Sequence, residues 1–504
     1  MRQIRSNINI AAVKCVNGSD VNDQPQLQEK RFARILLAVF LITLPFANPW
    51  VRGDGVGYYA YARAPLIEHN LDFTRDYQMA NDSFREARVD ENLHPRLEFF
   101  TRTGHLDNHF SVGPAMLWSP FLLVAHAGVL LARAYGSTVL PDGFSAPYRY
   151  AMAIGTCIYG FLGLWFSFRF ARRYVAPTWA FIATLAIWWA SSLPVYMYFN
   201  PSWSHAHSAF IVALFLLYWD STRERRSLRQ WLILGVIVGL TLDIYYLNVM
   251  IVSVLIVEAV RQYGDVLKSS QPAANLRTLS IQHTLFGVVV LVVMIPTFAS
   301  RWIVYGGPFE SGYISLEDYL WHSPAFLSVL FSSNHGLLAW TPLLGLSIIG
   351  LFLLAVDLPQ IGVPLLTASI TFYLFLSCYP DWAGIASFGN RFFVSLTALW
   401  ILGLAHLLER VATHFRRRRN VIAAACGMLA CCVLWNLGLM YQWGTHLVPA
   451  RGPVSFRTAT YNQFCVVPFE ITSRVRSYFF RRSDLMHQIE QRDVEQLKKK
   501  PFLR

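Results

Sequence analysis

The chain has 504 residues, of which 54% are hydrophobic and only 14% charged, with a mean hydropathy of +0.36. A soluble domain carries about 25% charged residues. The composition therefore excludes an ordinary soluble enzyme, and recurrent apolar runs near the ~20 residues that span a bilayer core indicate an all-α polytopic membrane protein.

Residues 1–32 are polar and basic and read as a cytoplasmic segment. The first apolar run, Ala33 to Pro49, is followed by no small-residue cleavage pattern, so it reads as a retained span. Basic loops follow at Arg169–Arg173, Arg223–Arg229, Arg261–Lys268 and Arg416–Arg419. Short basic loops stay in the cytoplasm, which also accounts for the net charge of +13 without invoking nucleic acid. Spans are then expected at 33–49, 148–170, 177–195, 205–219, 230–247, 248–260, 281–299, 336–355, 361–378, 389–408 and 421–440. That gives about eleven crossings, within a range of ~10–13, with the N-terminus inside and the C-terminus outside. The 230–260 stretch is too long for one span and is expected to break at Tyr245–Asn248.

One segment resists this order. Gly113–Arg133 is apolar enough to cross, but a crossing there would flip every later basic loop. It is expected to lie in the interface, or to dip in and return, within a first outer loop of residues 51–147. Residues 33–440 thus form the membrane domain, and 441–504 a basic tail on the outer side. The tail reads either as a headgroup-binding segment or as a flexible charged end. The seven cysteines form no framework: Cys157, Cys426, Cys431 and Cys432 sit in apolar runs, where Cys acts as a small hydrophobe.

Polar and aromatic residues gather in the loops assigned to the outer face, and function lives in loops held by a rigid scaffold. The first loop opens Arg52-Gly-Asp-Gly-Val-Gly-Tyr-Tyr59. The next reads Tyr198-Phe-Asn-Pro-Ser-Trp-Ser-His-Ala-His207. Later ones run from Arg301 through Tyr313 to His335, and from Tyr379 to Arg391. Asp54 is the leading candidate: a carboxylate in a glycine-flanked turn, directly after the first span and beside Tyr58 and Tyr59, suits a general base acting on a membrane-delivered substrate. A capped turn with an aromatic belt is the plainer reading. Asp243, an ionisable group inside an apolar run, marks a functional site by default, or else it reaches headgroup water. The remaining acids of the first loop alternate with Arg and His, as on a solvated surface; Asp107-Asn-His109, just before Phe110, reads as solvated loop or as part of the cavity lining.

The order of these features resembles the C superfamily of glycosyltransferases (GT-C), which includes protein O-mannosyltransferases and the lipid A aminoarabinose transferase. The matching pieces are Gly53-Asp54-Gly55 with Tyr58-Tyr59, Phe110-Ser-Val-Gly-Pro114, Arg149, Tyr305-Gly-Gly-Pro308 and Ser387-Phe-Gly-Asn-Arg391. The resemblance covers most of residues 33–440, although its motifs are short. It implies a GT-C-like fold whose first outer loop carries interfacial helices. It also implies sugar transfer, with inversion, from a polyprenyl-phosphate carrier to a lipid, glycan or protein acceptor.

On that reading Asp54 is the base, and Arg391 or Arg301 stabilises the leaving phosphate, unless either arginine is a snorkelling anchor. Tyr58, Tyr59, His335 and Asp243 are further substrate-binding candidates. Relatives often carry an acid in the second outer loop, sometimes as part of a divalent-metal site. Here His205 and His207 stand there instead, as metal ligands or as polar interface, so a divalent metal is an open option and no cofactor is required. The implied setting is a bacterial inner membrane, with the site facing the periplasm or exterior. A transporter or flippase of a lipid-linked or anionic substrate is the main alternative. Inverted repeats, its usual mark, are not visible. A non-catalytic assembly scaffold is a third reading.

Overall fold

The computed structural model of the protein describes residues 23–414 and 418–499. Most of the N-terminal basic segment, the side chains of the Arg416–Arg419 loop and Lys500 lie outside the described residues. Among these residues the secondary structure is helical, with two isolated bridges, Val89–Pro95 and Phe100–Leu106, in the first loop.

The main helices are α1 (Asp23–Thr43), α2 (Asp54–Arg63), α3 (Gly113–Ala134), α4 (Ala146–Ala171), α5 (Pro177–Trp189), α6 (His205–Thr222), α7 (Leu228–Ile244), α8 (Val249–Leu267), α9 (Pro272–Val293) and α10 (Ile295–Tyr305). After them come α11 (Leu343–Asp357), α12 (Pro359–Cys378), α13 (Thr397–His414), α14 (Arg418–Gly444), α15 (Phe456–Cys465), α16 (Val467–Phe480) and α17 (Arg482–Lys499). Their starts follow local chemistry. Proline opens α5, α9 and α12, where its missing N–H costs nothing. Ser227 and Gln230 form a reciprocal capping box on α7.

Six stretches are long and apolar enough to cross a membrane: α3, α4, α9, α12, Arg391–His414 and Asn420–Gly444. The chain is an integral membrane protein. Several expected spans are interrupted, and the breaks have identifiable causes. The 177–195 run stops at Trp189 and turns through Pro194 into a wide helical turn, Val195–Phe199. The 281–299 run divides at Met294, just before Pro296. The 336–355 run divides before Pro342. Proline cannot supply the interior helix hydrogen bond. The 230–260 stretch breaks where the sequence places it: Tyr245 is extended and α8 starts at Val249. Asn248 closes the gap, its Nδ2 donating to Thr241 O at 3.0 Å and its Oδ1 accepting from Ser208 Oγ at 3.0 Å.

α6 fixes the two ends of the molecule. At its start Ser204 Oγ donates to Tyr58 Oη at 2.9 Å, beside Asp54. At its end Asp220 meets Arg173, Tyr174 and Arg223. Eighteen helical residues separate these ends by about 27 Å, so the Arg173 and Arg223 loops and Asp54 occupy opposite ends of the scaffold. Although α3 is long enough to cross, its hydrogen bonds to α4 fall between Tyr148 and Tyr159. Tyr159 Oη donates to Leu117 O at 3.1 Å, Trp118 Nε1 donates to Thr156 Oγ1 at 2.8 Å, and His126 Nδ1 pairs with Tyr148 Oη at 2.6 Å. Both ends of α3 therefore stay on the Asp54 half.

The tail is folded onto that same end. Tyr478 Oη donates to Phe46 O at 2.7 Å, Arg482 Nη1 donates to Ala47 O at 2.8 Å, and Glu490 accepts from Asn81 and Ser83. Arg52 pairs with Asp493. The reading as a flexible charged end is corrected by these contacts, which a charge pattern alone does not reveal. Asp76 likewise departs from the solvated-surface reading of the first loop. It is 3% exposed and accepts from Arg63 Nε at 2.7 Å and Nη2 at 2.6 Å.

At the basic end Arg226 donates to Glu258 at 2.9 Å with its guanidinium over the Trp231 ring, and Trp219 Nε1 donates to Glu258 at 2.5 Å. Glu258→Ala strands a buried guanidinium, which costs about 3–5 kcal/mol. Thermal unfolding in detergent is expected to show a large drop for Glu258→Ala and a smaller one for Glu258→Gln, which keeps a polar partner.

Candidate active site

Asp54 is the first residue of α2, and Gly53 before it has φ +54°. A side chain there would be strained and would meet the Trp203 ring at 3.1 Å, so the turn requires glycine. The carboxylate thus sits at a helix N-terminus, where anions are favoured. Its partner arrives from 337 positions away: Arg391 Nη1 donates to Asp54 Oδ2 at 2.5 Å. Arg391 is placed by a second glycine, Gly389, with φ +55° and no room for a Cβ against Ser192 Oγ. The Arg391 guanidinium lies 4.4 Å above the Trp203 ring, and its Nε has no partner. The Trp203 Nε1 donates to Arg52 O at 2.9 Å, which ties this platform to the turn that carries Asp54.

The pair forms part of the wall of a cavity of about 1100 Å³. Tyr58, His205, Tyr245, Tyr313, Tyr379 and Asp381 share that wall. Burial, then the Asp54 charge, pushes the Tyr58 phenol up, and burial does the same to Tyr313, so both remain neutral donors. Burial also raises Asp381, against the opposing charge of Arg391. Asp107, on the same wall, is lowered: burial alone would raise it, but His109 and Tyr305 outweigh that. His446 and Asp493 from the tail complete the rim.

The structure sorts the sequence candidates. Asp54, Tyr58, His205 and Arg391 meet in this cavity, whereas Asp243 and Arg301 line a smaller one beside it. Tyr59 is corrected: one position further round α2, it points away, with its hydroxyl donating to Gly143 O at 2.6 Å. Arg149 is exposed at the start of α4. His205 and His207 are not brought together. His205 faces the Tyr196 and Tyr245 rings at 4.7 and 5.5 Å, and His207 the Trp118 and Tyr159 rings at 5.0 and 5.5 Å. Two residues apart on a helix, they point to different sides. No group of three or more His, Cys, Asp or Glu able to hold a metal occurs among the described residues. The two imidazoles therefore do not act as a shared pair of ligands on α6.

Trp203, Asp381 and the tail residues were missed as site residues. Trp203 and Asp381 stand in loops the sequence marks as functional, but the tail carries no local signal.

No family model matches the chain, and no curated protein matches it. Among solved structures it is similar to the crystal structure of ArnT from Cupriavidus metallidurans in the apo state. The identity is 12%, the TM-score 0.46, and the match covers 82% of this chain and 72% of that one. A likeness of that size leaves the function to be read from the site itself.

His335, at φ +61°, stacks on Trp340 with ring centroids 4.9 Å apart and is fully buried. Burial, then the Arg391 charge, pushes it from 6.5 down to about 4. As pH falls below 6.5 the unfolded chain protonates this histidine and the folded chain does not, so stability is lost progressively down to about 4. Removing the group by His335→Gln is expected to flatten the acid side of the stability profile measured by thermal unfolding across that range.

Proposed function

We propose that the protein is a membrane glycosyltransferase that moves a sugar from a polyprenyl-phosphate carrier to an acceptor on the outer face of a bacterial inner membrane. The observation that carries this reading is the Asp54–Arg391 pair. A carboxylate and a guanidinium from distant loops are joined in the wall of a large cavity at the end of the scaffold away from the basic loops.

In the proposed reaction the acceptor hydroxyl or amine attacks the anomeric carbon and loses its proton to Asp54. The bond from that carbon to the phosphate oxygen breaks from the opposite face, and the electron pair leaves with the carrier phosphate. The anomeric configuration inverts. Charge grows on the departing phosphate, so a fixed cation lowers the barrier by binding the transition state more strongly than the ground state. Arg391 is suited to that task. It spends Nη1 on Asp54 and retains an unpartnered Nε–H, and a guanidinium carries five donors in a planar fork. Arrival of a phosphate would draw the cation partly off Asp54 and leave the carboxylate free to accept a proton. Tyr58 and Tyr313 supply neutral hydroxyl donors on the same wall.

The site also contains a substitute acid, Asp381. Wild type and Asp54→Asn, matched for folding, are to be compared in liposomes with a panel of radiolabelled polyprenyl-phosphate sugars. Loss of carrier turnover in Asp54→Asn by about a hundredfold or more supports the base. Turnover that survives moves the base to Asp381. Consumption of no donor, together with protein-dependent movement of the carrier across the bilayer, would replace the enzyme by a transporter. Arg391→Lys keeps the charge but loses the fork and the flat face over Trp203. It is expected to lower kcat more than it raises KM.

A further inference from the structure

The smaller cavity, about 200 Å³, lies behind a partition of His109, Phe110 and Tyr246, which line both spaces. It sits between the broken α7–α8 helix and the α9–α10 break, and Asp243, Asn108, Arg301, Ser111 and Ser300 contribute polar groups to it. Asp243 and Asn108 are 1% and 2% exposed. Thr297 Oγ1 donates to Asp243 Oδ1 at 2.6 Å, yet Asp243 Oδ2 and Asn108 Oδ1 have no partner. Buried acceptors without donors are rare and costly, so these two oxygens have unused capacity for donors from outside the chain.

Size and charge define what can supply them. The space exceeds the ~30 Å³ share of a water several times over, and it is smaller than the ~300–1,000 Å³ of a drug-sized pocket, so it holds one small ring. A phosphate or carboxylate would meet Asp243, and a cation would meet Arg301. The two charges balance, and His109 on the same lining is paired with Asp107 at 3.4 Å, which favours a neutral ligand. A polyol fits this chemistry because each hydroxyl both donates and accepts.

We propose that this compartment binds one neutral monosaccharide unit, with hydroxyls donating to Asp243 Oδ2 and Asn108 Oδ1 and accepting from Arg301. The inference rests on the glycosyltransferase reading for its biological sense, and it names the sugar class. The unit is either the one carried by the donor or a residue of the acceptor, since both offer the same hydroxyls.

The test uses the full chain in nanodiscs and ligand-observed NMR. Free mannose, glucose and arabinose serve as neutral probes, with glucosamine and glucuronate as charged controls. Wild type is expected to bind at least one neutral sugar at millimolar concentration and the charged sugars more weakly. Asp243→Asn, which puts a donor where an acceptor is needed, and Ser300→Phe, which fills the space, are each expected to weaken binding about tenfold or more. Arg277→Gln, on the exposed first half of α9, is expected to change nothing.

The proposal is overturned if no neutral sugar binds wild type, if charged sugars bind as tightly, or if both folded variants bind as wild type does. Binding that follows this pattern while no carrier is ever cleaved would sink the glycosyltransferase reading and leave the compartment standing. Where carrier cleavage is observed, a raised KM in Asp243→Asn for donor hydrolysis without acceptor assigns the unit to the donor. A raised KM for acceptor alone assigns it to the acceptor.

Discussion

The contact on which the Asp54 end depends is the ion pair between Asp54 and Arg391. It joins the first loop after α1 to the turn that leads into α13, and it does so only because two glycines hold positive φ at Gly53 and Gly389. Trp203 serves both partners: its ring lies under the guanidinium and against Gly53, and its N–H is bonded to Arg52 O. A guanidinium is weakly hydrated and stacks well on aromatic faces, so it tolerates a half-enclosed position that would cost an ammonium more. The pair therefore places a cation and an anion side by side without requiring either to be fully dry.

The rest of the Asp54 end is assembled around that contact. The tail helices bring Asp493 to Arg52, two residues before Asp54, and Glu490 to Asn81, whose Oδ1 accepts from Gly53 N–H at 3.1 Å. The last helix of the chain thus braces the turn that carries the leading acid. His446, which hydrogen-bonds Asp493 at 2.8 Å, links this brace to the end of α14. The cavity is walled by elements from the beginning, the middle and the end of the sequence, which explains why no short segment contains it.

The fold class was legible because apolar run length and basic loops report directly on a bilayer. The break at Tyr245–Asn248 was legible from length alone. Helix ends were not, since Pro194, Pro296 and Pro342 interrupt runs that hydropathy averages across. Asp54 and Arg391, which meet in one cavity, both stand out in the sequence as charges in glycine-rich turns beside spans. Tyr59 was misassigned because adjacent residues on a helix face different ways, and the pattern Tyr-Tyr does not say which one faces the cavity. The His205–His207 pair failed for the same reason: its two-residue spacing would place both rings on one face of a strand but separates them on α6. The tail was unreadable because its role depends on Arg52, Asn81 and Ser83, some four hundred residues away.

Asp54 and Asp243 show how one helical scaffold gives two carboxylates different surroundings. Asp54 opens onto the large cavity and is neutralised by a neighbouring guanidinium, so its availability depends on what else that guanidinium binds. Asp243 is enclosed, held on one oxygen by the Thr297 hydroxyl and unpartnered on the other, with no cation bonded to it. A group of the first kind is suited to exchanging a proton when an anionic substrate arrives. A group of the second kind is suited to reading hydroxyls, since its unmet demand is for a donor and its surroundings disfavour added charge. Phe110 and Tyr246 stand between the two spaces. That partition keeps the enclosed Asp243 apart from the Asp54–Arg391 pair, so the two acids need not compete for the same proton.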